Sequence, residues 1–141
     1  MGRLIYLLDT NVLSEPAKLQ ANPSVLTKFQ QQNGLYCTSA TVWQELRFGC
    51  ERLPVSKLRQ RLESYLAMLL ANSLTILPFD TQSAEWLAVE RARLMKIGLT
   101  PAYADAEIAA VAAVNNLILV TRNTEDFRHF TSLTIENWFN A

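Results

Sequence analysis

Five short runs of the chain are almost wholly apolar: LIYLL (Leu4–Leu8), LYC (Leu35–Cys37), LTIL (Leu74–Leu77), LILV (Leu117–Val120) and LTI (Leu133–Ile135). Successive side chains of a strand point to opposite faces, so an unbroken apolar run predicts a strand covered on both sides. Between the runs lie stretches of helical period. Asn22-Pro23 predicts the start of a helix carrying Val25, Leu26 and Phe29, and Asn33-Gly34 its end. A second is expected from Ser39 to Phe48, stopped by Gly49, and a third from Ser56 to Leu70 with Leu58, Leu62, Tyr65, Leu66 and Leu69 on one face. Asp80 is placed to cap a long helix that ends near Gly98, and an Ala-rich helix follows Pro101 and closes at Asn115-Asn116. Strands separated by helices need crossovers, and crossovers imply a parallel, right-handed α/β sheet. With no repeat, linker or low-complexity tract, residues 1–141 are expected to form a single α/β domain.

Composition narrows the function classes. A chain of 141 residues, half of them hydrophobic and 18% charged, buries a core without metal or disulfide staples. Its formal net charge is zero, which argues against gripping long nucleic acid by bulk electrostatics and leaves a small nuclease open. Cys37 and Cys50 stand in no ligand spacing, and with a single histidine the chain lacks a familiar zinc site, so both thiols are expected to act as small apolar residues. The start, MGRLIYLLD, does not have the form of a signal peptide and no run reaches membrane-spanning length; the expected setting is the cytoplasm, with no membrane partner.

The chemistry begins in LLDTNVLSEP (Leu7–Pro16), where an apolar strand stops on Asp9, followed by Asn11 and Glu15. Parallel open sheets bind ligands outside the carboxyl ends of their strands, and Asp9 lies at such an end. TRNTEDF (Thr121–Phe127) follows LILV directly, so Asn123, Glu125 and Asp126 reach the same rim if those strands are neighbours. Two more acids come from helices. In AYADAEIAAVAAV, Asp105 shares a face with Ile108, Ala109 and Ala112; taken alone it reads as a first-turn acid favoured by the helix dipole, and Glu107 as a solvated acid. In SATVWQELRFG, Glu45 taken alone reads as a surface charge or a partner of Arg47 or Arg52. Together they read differently. Carboxylates that converge without a basic residue repel one another unless a cation sits among them, and oxygen-only ligation selects a hard ion, Mg²⁺ or Mn²⁺.

The four segments LLDTNVLSEP, SATVWQELRFG, ADAEIAAVA and VTRNTEDF, in that order and followed by IENW, resemble the PIN-domain ribonucleases, specifically the VapC-type toxins of bacterial toxin-antitoxin pairs. Each motif is weak singly; four in order over nearly the whole chain are specific. The resemblance implies a five-stranded parallel sheet with helices on both faces and an acidic pocket for Mg²⁺ or Mn²⁺. It implies Asp9, Glu45 and Asp105 as metal-binding acids, with Asn123 or Asp126 completing the site, and Asn11 and Thr121 as supporting or substrate contacts. It further implies an RNA substrate, a VapB-type antitoxin, a homodimer, and promoter DNA bound only through the antitoxin.

The expected mechanism is hydrolysis of an RNA phosphodiester by metal-activated water, with Asp9, Glu45, Asp105 and Asp126 as catalytic residues and Arg122 and Arg128 as candidate phosphate contacts. One histidine, His129, does not supply both acid and base, and is expected to be a surface residue beside Arg128. A phosphatase of the haloacid-dehalogenase kind wants a second Asp where this chain has Asn11, and a receiver domain wants an adjacent acidic pair and a late Lys. An inactive PIN-fold domain that binds RNA or protein remains the alternative, because Asn123 stands where some relatives carry Asp. Trp43, Phe48 and Trp86 are expected mainly in the core, with an interface as the other reading.

Overall fold

The computed structural model describes residues 3–140, so Met1, Gly2 and Ala141 lie outside the account. Strands β1 (Tyr6–Leu8), β2 (Tyr36–Ser39), β3 (Ile76–Leu77), β4 (Ile118–Val120) and β5 (Ile135–Glu136) form a sheet in the order β3-β2-β1-β4-β5. Every neighbouring pair is parallel, and Leu7 lies opposite Cys37 on one side and Leu119 on the other. Six helices connect them: α1 (Thr10–Leu13), α2 (Pro23–Gln31), α3 (Ala40–Glu51), α4 (Lys57–Ala71), α5 (Thr81–Lys96) and α6 (Tyr103–Val114). Leu7 and Leu8 point to opposite faces, yet both are wholly buried, as are Leu119 and Val120. Both faces of the central strands are therefore covered, as the unbroken apolar runs require. No helix among the described residues is long and apolar enough to cross a membrane.

The caps follow the sequence. Asn22, Ser56 and Asp80 each accept hydrogen bonds from the first turn of α2, α4 and α5. Gly34 and Gly98, at φ +83° and +80°, release the chain after α2 and α5. The strands are shorter than the apolar runs or shifted towards the C-terminus. Gly49 does not stop α3, which continues to Glu51. A helical glycine costs only about 1 kcal/mol relative to alanine, and burial of Cys50, 1% exposed, holds the following turn in place. The four-residue α1, nucleated by Asp9 itself, was not expected from the pattern.

Trp43 and Trp86 are half-buried, whereas Phe48 is 60% exposed and so is not a core residue. Trp138, wholly buried, packs edge-on against Tyr6 and Phe29, with ring centroids 5.3 and 5.8 Å apart, and seats the C-terminal segment on the core. Both cysteines are buried, and burial pushes the Cys37 thiol up to about 12, which leaves it a packing residue rather than a nucleophile.

The order of strands reverses at the β1/β4 boundary. From β1 the chain steps outward to β2 and β3, then returns through α5 and α6 to β4 on the other side. Such a switch point leaves a crevice beyond the strand ends, because the connections on either side lead away from it.

Candidate active site

Asp9 sits at that crevice. Its backbone N–H donates to the Val120 carbonyl at 2.9 Å, extending the β1–β4 ladder by one residue and fixing where its side chain starts. The carboxylate is 5% exposed and held at both oxygens: Oδ1 accepts from the Thr10 N–H at 2.8 Å, and Oδ2 accepts from the Thr121 hydroxyl at 2.8 Å and the Asn11 amide at 3.4 Å. Thr121, wholly buried, is the first residue after β4, and its hydroxyl also accepts from the Asn123 N–H at 3.0 Å. Asn11 Oδ1 accepts from the Arg122 N–H at 3.0 Å. These bonds tie the loops after β1 and β4 into one rim. Burial raises the pKa of Asp9 and the nearby charge of Glu45 adds to this, while the hydrogen bonds from Thr121, Thr10 and Asn11 work against the rise.

Glu45 arrives on α3, which Ser39 caps through its hydroxyl, accepting from the Val42 N–H at 3.2 Å. Its Oε1 accepts from the Thr10 hydroxyl at 2.6 Å, so Thr10 clips both Asp9 and Glu45 to the rim. Neither Arg47 nor Arg52 takes it: Arg47 pairs with Glu51 at 2.7 Å. Asp105 lies in the first turn of α6, half-buried, and its carboxyl is raised to about 6 by burial first, then by the charges of Asp9, Asp126 and Glu45. One acid thus feels three others that are distant in sequence. Asp126 is in the short 3₁₀ turn after β4 and is exposed, as is Asn123.

Other buried acids in the chain behave differently. Glu90, 4% exposed, accepts from Arg93 at 3.0 Å through each oxygen and from the Thr131 N–H at 2.7 Å, and the arginine holds its carboxyl below the usual range. Glu15, also 4% exposed, has the Lys18 ammonium at 3.0 Å and accepts from the Asn22 N–H at 2.9 Å; it pins the loop into α2 instead of joining the rim. Each of these two buried carboxylates has a cation. Among the described residues, Asp9, Glu45, Asp105 and Asp126 make no ion pair.

As the side chains stand, no three His, Cys, Asp or Glu among the described residues are arranged to grip one ion. The donor chemistry nonetheless fits a hard divalent cation: oxygen ligands only, no competing cation, and in Asp105 a carboxyl whose neighbours oppose its charge. Glu107, expected to be solvated, is half-buried and accepts from the Thr41 hydroxyl at 2.9 Å, because α6 packs directly on α3. Thr10 and Thr41 are the site's unforeseen residues. Only Thr10 carried a signal, as a hydroxyl next to Asp9.

The basic residues flank the acids. Arg122 is exposed, with its guanidinium 4.7 Å from the centroid of the Phe139 ring. Arg128 pairs with Glu125, and His129 is exposed beside it. A cavity of about 680 Å³ lies elsewhere, between α2 and α4 under the amino ends of β1 to β3, and none of the four acids lines it.

The model of the PIN domain family matches residues 6–133. Plasmid stability protein StbB of Pseudomonas syringae pv. tomato is 38% identical over 140 residues, which cover 95% of this chain and 99% of that one. Ribonuclease VapC2 of Haemophilus influenzae is 33% identical over 139 residues, covering 96% and 98%. The solved structure of VapBC2 from Rickettsia felis bound to a DNA fragment from their promoter matches at TM-score 0.82 and 28% identity, covering 96% of this chain and 99% of that chain. These matches run through the rim that joins Asp9 to Thr121, and the chain belongs to the PIN domain family, with VapC-type proteins among its relatives.

Proposed function

We propose that the chain is a Mg²⁺- or Mn²⁺-dependent endoribonuclease, the toxin of a VapBC-type pair. The observation that carries the reading is the convergence of Asp9, Glu45, Asp105 and Asp126 at the switch point without an ion pair among them; Asp105 is raised to about 6 by burial first and then by the charges of the other three. Asp9, Glu45 and Asp105 would hold the ion, with Asp126 or Asn123 completing the set. When bound, such an ion neutralises phosphate charge and lowers the pKa of a water. Thr121, Asn11 and Thr10 fix the rotamers of Asp9 and Glu45, which spares reorganisation as charge develops. Arg122 is free to meet the RNA backbone, since its guanidinium rests on an aromatic face and not on a carboxylate. Hydrolysis by water leaves a 5′-phosphate and a 3′-hydroxyl and does not use the ribose 2′-hydroxyl as nucleophile.

One relative of known structure is VapBC2 bound to a DNA fragment from its promoter, which supports an antitoxin partner here, with DNA contact assigned to that partner. A second copy of the chain is the further partner we assign. Purified protein incubated with total RNA should cut it in the presence of Mn²⁺ and stop in EDTA, and the new ends should carry 5′-phosphates. Asp9→Asn and Asp105→Asn should each remove cleavage and retain the fold by circular dichroism. RNA binding that persists unchanged in EDTA, with no cleavage in Mn²⁺, would point instead to an inactive RNA-binding domain.

A further inference from the structure

We propose that Phe139 is a positioning residue for RNA binding: its ring holds the Arg122 guanidinium at the rim, where the cation contacts a phosphate of the strand that crosses the acids. This role rests on the ribonuclease reading for its substrate and adds the C-terminal segment to the site.

Hydrogen bonds tie Arg122 to the acids. It directly follows Thr121, whose hydroxyl donates to Asp9 Oδ2 at 2.8 Å. Its own N–H donates to Asn11 Oδ1 at 3.0 Å, and the Asn11 amide donates to the same Asp9 oxygen at 3.4 Å. The Arg122 side chain therefore starts from the rim. Phe139 reaches that rim from another strand. All neighbouring strands are parallel, so the segment after β5 leaves the sheet at the end that carries Asp9, and the Thr121 N–H donates to the Glu136 carbonyl at 3.0 Å. The chain around the ring is anchored on both sides. Trp138 is wholly buried and its indole N–H donates to Glu136 Oε1 at 3.0 Å; the Phe139 N–H donates to Asn137 Oδ1 at 2.8 Å, and the Asn140 carbonyl accepts from the Ser24 hydroxyl of α2 at 3.2 Å. Phe139 itself is half-buried against the core, with the Arg122 guanidinium 4.7 Å from its centroid.

A ring and a carboxylate hold a guanidinium with different consequences. A carboxylate neutralises the charge and takes the N–H donors that a phosphate needs, whereas a ring attracts the cation through its quadrupole and leaves the N–H edge open. Elsewhere in the chain arginines take the first course: Arg47 and Arg59 pair with Glu51, Arg93 with Glu90 and Arg128 with Glu125. Among the described residues Arg122 makes no ion pair. It is exposed, and an exposed arginine without support samples many rotamers. Resting on Phe139 before RNA arrives, the guanidinium loses less freedom when a phosphate binds it.

The test uses the full chain in EDTA and a fluorescein-labelled single-stranded oligoribonucleotide, with anisotropy read across a salt series. Arg122→Ala should flatten the slope of log affinity against log salt by about 0.7, the value for one phosphate contact on a single strand. Phe139→Leu should weaken binding about two- to fivefold, the worth of an exposed cation–π contact, and Phe139→Tyr, which keeps the ring, should bind as the native chain does. In the Arg122→Ala background Phe139→Leu should change nothing further, because a ring that acts through the guanidinium has no effect once the guanidinium is gone. In Mn²⁺ the Phe139→Leu loss should fall on KM and be restored in Phe139→Tyr. A Phe139→Leu loss of equal size in the Arg122→Ala background gives the ring a merely structural role and overturns the proposal. Native affinity in Phe139→Leu, or an unchanged salt slope in Arg122→Ala, overturns it as well, and the slope is read without any change at Phe139. Binding that shows all these losses, with no cleavage in Mn²⁺, keeps the pair and sinks the nuclease; cleavage in Mn²⁺ with none of them sinks the pair and leaves the nuclease.

Discussion

Asp105 has a carboxyl raised from 3.8 to about 6, so between those values the folded chain holds a proton that the unfolded chain has released. Stability then falls as pH rises through that window: the cost is absent below the unfolded value and complete above the folded one. Metal-free protein should therefore melt at a lower temperature at about pH 7 than at about pH 5, and Asp105→Asn should flatten that difference and melt higher at about pH 7. Calorimetry in EDTA reads both, and a native chain whose melting is flat across the window contradicts the assignment. Added Mn²⁺ should stabilise the native chain above the window, where the carboxylate is ionised, and do so far less in Asp105→Asn. Thr121 gives a second prediction of opposite sign. Its hydroxyl donates to the buried Asp9 Oδ2 at 2.8 Å, and Thr121→Val keeps the shape while removing the donor. The loss should destabilise by about 1–3 kcal/mol in urea titrations, because a buried acceptor is left short of a partner. An unchanged midpoint would mean that water replaces the hydroxyl at no cost.

Two glycines separate local propensity from the demands of the fold. Gly49 lies inside α3 with nothing within 4 Å of where a Cβ would sit, so Gly49→Ala should stabilise by about 0.5–1 kcal/mol. Gly98 has equal room, but its φ of +80° is closed to ordinary side chains, and Gly98→Ala should destabilise by about 1–2 kcal/mol. Thermal melts of the pair decide it: stabilisation in both would show that the turn after α5 relaxes freely. Gly49 is also where the sequence misled, because a glycine reads as a stop only if nothing beyond it is buried, and Cys50 is. The same distinction divides what was legible in the site. Asp9 and Thr121 could be placed because each directly follows an apolar strand, a local signal. The bond from Thr10 to Glu45 spans 35 residues and that from Thr41 to Glu107 spans 66; both depend on how α3 packs against α1 and α6, which no single segment encodes. Asp105 and Glu45 looked like ordinary helix acids one at a time. What sets them apart is that they come together without the cation that Glu15 and Glu90 receive, so that Asp105 feels Asp9, Asp126 and Glu45.

At the scale of the molecule, the parallel sheet has two chemically different ends. The carboxyl ends of β1 and β4 carry the acids, while the amino ends of β1 to β3 open on the 680 Å³ groove lined by Leu26, Phe29, Tyr65 and Met68. Leu26 is 38% and Met68 44% exposed, an apolar surface between two helices that suits the nonpolar face of a partner helix. If the antitoxin proposed above docks in this groove, it occupies a face remote from the acids. Because groove and acids lie at opposite ends, the two functions should separate by mutation. Met68→Glu puts a charge in the groove and should weaken antitoxin binding by at least about tenfold, since a desolvated, unpaired carboxylate costs more than the roughly 1.4 kcal/mol that tenfold represents. The same protein should cut RNA in Mn²⁺ as the native chain does, and mixing in antitoxin should no longer stop it. Asp105→Asn should behave in reverse, binding antitoxin and failing to cut. Titration calorimetry with the cognate antitoxin and an RNA cleavage assay on the same samples measure the two quantities together. Native-strength antitoxin binding by Met68→Glu would move the partner to another face, and loss of cleavage in that variant would show that the two ends of the sheet are coupled.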